Sequence, residues 1–298
     1  MSRQVNYRIY PSLLDKFQSF LDSDVLVEEG WNKDKDGNYR LGPDEMSDRQ
    51  EQELLDSVNR VPHAPIEAAD KGTCFNEIVD CLIGNHACER EDMTITREPD
   101  LYEVCDRFCS EKNCDYRWNR RRQRCFEAYK AAVSGRATAS AITATLHGFE
   151  FTYNVNLCRE AAAYFRGSVP QHFCRAVLET RYGGVELYGY ADYVKGPAVY
   201  DLKTTSQYAF GKFERSWQKH VYPYCLVESG EMDRVDAFEY TVYVLGKGKV
   251  ITGRQYREVY TYRPEASLEL LRNHTEHFVE WLEDHRDRIT DKKIFNQE

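Results

Sequence analysis

The stretch Gly189-Tyr190-Ala191-Asp192, followed after eight residues by Asp201-Leu202-Lys203, holds the residue types best suited to chemistry in this chain. Side chains alternate faces along a strand, so Asp201 and Lys203 point to one side and Leu202 to the other. Asp192 sits near the end of the preceding strand. The turn at Lys195-Gly196-Pro197 brings the two strands together. Two carboxylates and one ammonium therefore converge. Carboxylates suit a magnesium or manganese ion, which prefers oxygen ligands. Such an ion polarises a phosphoryl oxygen and lowers the pKa of a bound water. A lysine beside it orients that water or stabilises charge developing on the phosphate. The plainer reading is an ion pair across a strand face, because a D-x-K triplet recurs by chance.

These residues need strands and helices to hold them. Phe173 to Tyr182, Val185 to Val194 and Ala198 to Thr204 are rich in Val, Tyr and Leu. Gly183-Gly184 and Gly196-Pro197 separate them as turns, which predicts a three-stranded antiparallel meander. A helix over Trp217 to Val227 follows, then strands over Val235 to Leu245 and Val250 to Tyr262. After Pro264, a stripe of Leu268, Leu271, His274, Phe278, Trp281 and Leu282 predicts an amphipathic helix. Upstream, helical spacing predicts helices over 11 to 22, Ser47 to Val58 and 70 to 84, with a surface loop over 30 to 43. Residues 85 to 147 read as a helical insertion or subdomain, with an ambiguous alanine-rich end at Ala131 to Ala144. Strand runs flanked by helices give an α+β (mixed α/β) fold, and 1 to 298 reads as a single domain.

The whole-chain balance constrains the function classes. The chain has 298 residues, 42% of them hydrophobic, and a formal net charge of -9. That charge does not favour a nucleic-acid partner, but it says little about a local groove. The densest basic run is Arg120-Arg121-Arg122-Gln123-Arg124, read either as a solvated helix face or as a phosphate contact. No apolar run of about 18 residues predicts a membrane span. Met1 to Tyr10 carries no apolar signal core, so the expected location is the cytoplasm. Ten cysteines are then mostly thiols. Cys105, Cys109, Cys114 and Cys125 lack the tight pairs of a zinc site. The eight histidines show no H-x-x-x-H or H-E-x-x-H pattern.

Gly189 to Asp192, Asp201 to Lys203 and Gln218 to Tyr222 together resemble the PD-(D/E)xK nuclease superfamily, in its RecB-like exonuclease branch. That branch pairs G-x-x-D with (D/E)-x-K and with Q-x-x-x-Y on the next helix. Gln218 and Tyr222 lie four apart, on one helix face. The resemblance is good over about 190 to 226 and loose over 11 to 80. It implies a restriction-endonuclease-like core, a central mixed sheet flanked by helices. It implies metal ligation by Asp192, Asp201 and the Leu202 carbonyl, water activation by Lys203, and orientation of the site or a DNA phosphate by Gln218 and Tyr222. The family's helix beginning G-T carries a metal-side histidine four residues after the glycine. Here Gly72-Thr73 leads to Asn76, so the further ligand is Asn76, the adjacent Glu77, or water, with Asp80 a turn beyond. Glu179 matches an acidic position of some relatives. Pro223 departs from the pattern and predicts a kink or a late helix start. The activity implied is magnesium-dependent DNA hydrolysis, as by a phage or prophage exonuclease of recombination or repair. Such an enzyme would act in the host cytoplasm if phage-encoded. A single-strand annealing protein as partner and a homo-oligomer are compatible with that branch. A structure-specific or restriction-type endonuclease and a non-catalytic nucleic-acid-binding protein on a decayed nuclease fold are the alternatives.

Overall fold

The computed structural model describes residues 4–28, 41–99 and 139–297. Cys105, Cys109, Cys114, Cys125 and the arginine run at 120 to 124 lie outside them, as does most of the loop expected over 30 to 43.

The chain is mixed α/β, with helices packed on a central mixed sheet. Strand β1 (Val5–Ile9) leads into helix α1 (Pro11–Leu21), then α2 (Ser23–Glu28), α3 (Pro43–Val58) and α4 (Glu67–Gly84). Strands β2 (Met93–Pro99), β3 (Ala139–Leu146) and β4 (Phe149–Asn154) form a small separate antiparallel sheet, and α5 (Val155–Tyr164) follows it. The meander comes next as β5 (Val169–Thr180), β6 (Gly183–Lys195) and β7 (Ala198–Thr205). It is followed by α6 (Gln218–Glu228), β8 (Ala237–Leu245), β9 (Gly253–Thr261) and α7 (Pro264–Asp284).

The helical expectation for 85 to 147 fails at both described ends, which are β2 and β3. From Ala139 on, the described part of the alanine-rich end takes the strand form, with Ile142 and the Thr143 and Thr145 side chains alternating across it. Thr143 also meets Thr152 of β4, hydroxyl to hydroxyl, at 2.9 Å. The middle of that segment lies outside the described residues. The antiparallel pairing of β5 with β6, and of β6 with β7, is present. Pro223 neither breaks nor delays its helix. α6 runs from Gln218 to Glu228 with Pro223 inside it, at the cost of the N–H that would meet the Lys219 carbonyl.

Two apolar cores lie on opposite faces of the main sheet. The first packs α1, α6 and α7 on Val185, Leu187, Ala191 and Val199. The second packs α4 and α5 on Tyr193 and Leu202. α4 approaches β7 closely at Gly72, where an added Cβ would lie 2.3 Å from the Thr204 hydroxyl oxygen. A side chain there would push the helix off the strand.

His274 of α7 is a buried polar residue packed against the first core. It stacks on Trp217 at 3.9 Å, and its Nε2 donates to the Leu14 carbonyl oxygen at 3.1 Å. Burial pushes its pKa down to about 4. Because the folded value lies below the unfolded one, the unfolded chain binds the proton first as pH falls. Stability from this group is complete above about pH 6.5 and is lost on falling from there toward pH 4. Raised carboxylates act in the opposite sense, so the informative quantity is a difference. His274→Gln is expected to remove roughly 2 kcal/mol of the wild type's loss between pH 7 and pH 5, measured by urea unfolding at both pH values. Equal slopes in the two proteins would refute it.

Candidate active site

The site forms where the sheet opens. β6 pairs with β5 along most of its length, but with β7 through only Tyr193↔Tyr200, Val194↔Val199 and Lys195↔Ala198. Along the same edge, β1 pairs with β6 only from Gly184 to Leu187. Between these two neighbours, Tyr188 to Asp192 has no strand beside it on that edge. The face alternation also slips here. Ala191 belongs to the first core and Tyr193, two residues on, to the second. Opposite the slip, on β5, Gln171 takes a positive φ of 45°.

Asp192 bridges the opening. Its carboxylate accepts the Leu202 N–H at 2.8 Å, the bond that a neighbouring strand would otherwise supply. On the α1 side, Lys203 Nζ lies 2.8 Å from Asp201 Oδ2 and donates to Gln218 Oε1 at 2.7 Å. The Gln218 amide in turn donates to the Tyr222 hydroxyl oxygen. The structure thus brings Asp192, Asp201, Lys203, Gln218 and Tyr222 together. A cleft of about 430 Å³ opens beside the Lys203 and Gln218 end of this group, lined also by Lys212, Arg215 and Asp15 among others.

Asp15 of α1 was not singled out from sequence. Its oxygens accept the Trp217 N–H at 2.6 Å and the Ser216 hydroxyl at 3.1 Å. It thereby satisfies a free N–H at the start of α6 and sets Gln218 beside Lys203. A lone aspartate between the buried Leu14 and Phe17 was the available signal.

Electrostatically the site is overloaded with negative charge. Burial first, and Asp201 second, hold the Asp192 carboxyl well above the usual carboxylate value. Burial also raises Asp15, with Lys203 and two hydrogen bonds only partly opposing it. Burial works against the Lys203 ammonium, but Asp201, Asp192 and Asp15 outweigh it and raise its pKa. One lysine among three carboxylates leaves room for a further positive charge.

The donor set suits a hard divalent cation. Asp201 is 2% exposed, and its Oδ2 has the lysine as ion-pair partner but no hydrogen bond of good geometry. Asn76 Oδ1 is buried without a hydrogen-bond partner. Asn76 lies between Gly72, which touches Thr204, and Asp80, which accepts the Tyr193 hydroxyl at 2.6 Å. That stripe of α4 runs over the face carrying Leu202, opposite Asp201, so Asn76 reaches the site only through the opening. Glu77 is turned elsewhere, accepting from the Cys81 and Cys88 thiols at 3.8 and 3.5 Å. Glu179 pairs with Gly184 at the far end of β5, away from Asp192. Among the described residues no three Asp, Glu, His or Cys side chains form a metal cluster. Two carboxylates with neutral oxygens are nevertheless the kind of open site magnesium uses, with waters and phosphate completing its shell.

Gly189 holds this arrangement tight. A Cβ there would lie 2.9 Å from Tyr222 Cε1 and 3.3 Å from Pro11 Cδ. Gly189→Ala is expected to displace the Tyr222 ring and to cost about 1–3 kcal/mol, read as a lower denaturation midpoint. An unchanged midpoint would mean that the ring has room to move.

No protein-family model matches the chain, and no curated protein matches it. A solved structure from Eubacterium rectale, provisionally named an exonuclease, is similar with a TM-score of 0.37 and 11% identity, over 80% of this chain and 74% of that one. A second, of SSO0001, has a TM-score of 0.27 and 8% identity, over 67% of this chain and 83% of that one. Neither likeness is close enough to carry an argument.

Proposed function

We propose that this protein is a metal-dependent nuclease that hydrolyses DNA phosphodiester bonds, and that within that class it is a magnesium- or manganese-dependent DNA exonuclease of the phage recombination or repair type. The observation that carries the reading is the Asp192, Asp201, Lys203 and Gln218 group at the opening between β6 and β7. Asp192, Asp201, the Leu202 carbonyl and Asn76 would hold the ion. When bound, the ion supplies Lewis acidity and a water of lowered pKa.

The chain's own residues do the rest. Lys203, tethered by Gln218, holds its ammonium at one place in the cleft and is charged at neutral pH. It can therefore orient the attacking water and offset charge on the phosphate without reorganising. Tyr222 fixes Gln218, and Asp15 fixes the start of α6, so both act as positioning residues. Lys212 and Arg215 on the cleft wall can attract the flanking phosphates despite the acidic chain.

The test is digestion of linear and closed-circular DNA with magnesium and with EDTA. Magnesium-dependent loss of linear DNA alone supports the exonuclease. Cutting of circles shifts the reading to an endonuclease. No cutting of either, with manganese also tried, sinks the catalytic reading and leaves a binding protein on a nuclease-like site.

A further inference from the structure

Among the described residues, the half of the sheet formed by β1, β5 and β6 has one face with no element packed on it. The first core covers the side carrying Val185, Leu187 and Gly189. The opposite side carries Phe173, Tyr188, Tyr190, Arg8 and Arg175, and none of the described helices packs on it. Phe173 and Tyr190 are cross-strand partners with ring centroids 5.1 Å apart. They are 41% and 57% exposed, unusual for two large rings in mid-strand. A pair needed only for sheet stability would gain more by being covered.

The rings continue into the site. A cleft of about 420 Å³ runs from Tyr188 and Tyr190 past Tyr10 and Arg60 to Gln218 and Tyr222. Gln218 also lines the cleft over Lys203. The face carries two arginines together with the carboxylates of Glu179 and Glu186. Arg8 and Arg175 flank the rings, with side chains 42% and 64% exposed, and share one carboxylate, Glu186, at 2.7 and 3.8 Å. The Arg8 guanidinium lies 5.5 Å from the Tyr188 ring centre.

Exposed rings interleaved with arginines on an open sheet are what stacked, unpaired bases and their phosphates require. A duplex hides its base faces and could use the arginines but not the rings. We infer that the Phe173–Tyr190 face is a stacking platform for single-stranded nucleic acid, which delivers an unpaired end along the tyrosine-lined cleft to Gln218 and Lys203. The inference deepens the nuclease reading by naming the form of the substrate strand. Its binding part does not depend on cleavage.

The test measures binding in EDTA, where nothing is cut, by fluorescence anisotropy of a labelled fifteen-nucleotide oligothymidine and of a hairpin duplex. The double variant Phe173→Leu/Tyr190→Leu keeps apolar bulk but loses the rings. It is expected to bind oligothymidine at least about tenfold more weakly, with hairpin binding unchanged. Tyr190→Phe is expected to bind like wild type. Should the leucine pair lower the melting temperature sharply, Arg175→Gln alone carries the test. It is expected to weaken binding severalfold and to lower the salt dependence by about one phosphate contact. Equal oligothymidine binding by wild type, the leucine pair and Arg175→Gln would overturn the inference, as would wild type that does not bind oligothymidine. If these binding losses occur but magnesium produces no cleavage, the platform stands and the nuclease reading falls. If cleavage is intact and binding is indifferent to the rings, the reverse holds.

Discussion

Lys203→Ala is expected to lower magnesium-dependent DNA cleavage by about 10²–10³-fold, the usual cost of removing one preorganised group that meets developing charge. Lys203 makes two contacts at once, to Asp201 and to Gln218. Its removal therefore also frees Gln218 and leaves a carboxylate that is 2% exposed without its cation. Breaking such a pair from one side costs several kcal/mol, about 3–5 where the pair is deeply buried. Lys203→Ala should then unfold at a lower denaturant concentration, and added magnesium should recover part of that loss. Cleavage rates and unfolding midpoints, with and without magnesium, check both halves. Wild-type activity in the alanine variant would remove Lys203 from the mechanism.

Asp192→Asn separates the charge of the site from its architecture. The amide oxygen can still accept the Leu202 N–H, so the opening keeps its bridge. What disappears is a buried negative charge facing Asp201. Because the Asp192 carboxyl titrates well above its unfolded value, its contribution to metal-free stability is present at low pH. That contribution is lost as pH rises from about 3.8 through the raised folded value. The asparagine variant should not show this loss, so at neutral pH without metal it is expected to be more stable than wild type. Magnesium should protect wild type, by about 2.7 kcal/mol at a hundred times its dissociation constant, and should protect the variant little. Cleavage is expected to fall by at least about 100-fold. Thermal melts with and without magnesium decide it: an unaltered magnesium shift in the variant would show that Asp192 is not a ligand.

Some of this was legible from residue order and some was not. The meander was, because Gly196-Pro197 forms the turn before β7 and the Gly183-Gly184 signal lies just beside the turn at Arg181-Tyr182, the two glycines themselves opening β6; strand alternation then places Asp201 beside Lys203. The Gln218–Tyr222 helix was, because an i,i+4 pair shares a face wherever the helix starts. β1 was not, since five residues of Val-Asn-Tyr-Arg-Ile pair in parallel with a strand far along the chain, and no local pattern reports that. β3 was left ambiguous at the end of a stretch read as helical, because alanines favour helices in isolation, while Ile142, Thr143 and the pairing with β4 decide for a strand. Asp15 was hidden because its role depends on where α6 begins. The opening between β6 and β7 was hidden too. Alternation describes a regular strand, and Asp192 stands where that regularity slips.

The parallel pairing of β1 with β6 also sets when such a site can exist. Arg8 and Glu186, which face each other across it, are 178 residues apart. At about 5–20 residues per second of synthesis, that gap corresponds to roughly 10–40 s. Throughout it the first strand and Asp15 have left the ribosome, while Asp192, Asp201 and Lys203 have not. α7, whose His274 holds the Leu14 carbonyl, arrives later still. A nascent chain therefore carries no assembled centre. Any cleaving activity is withheld until the two distant halves of the polypeptide have met.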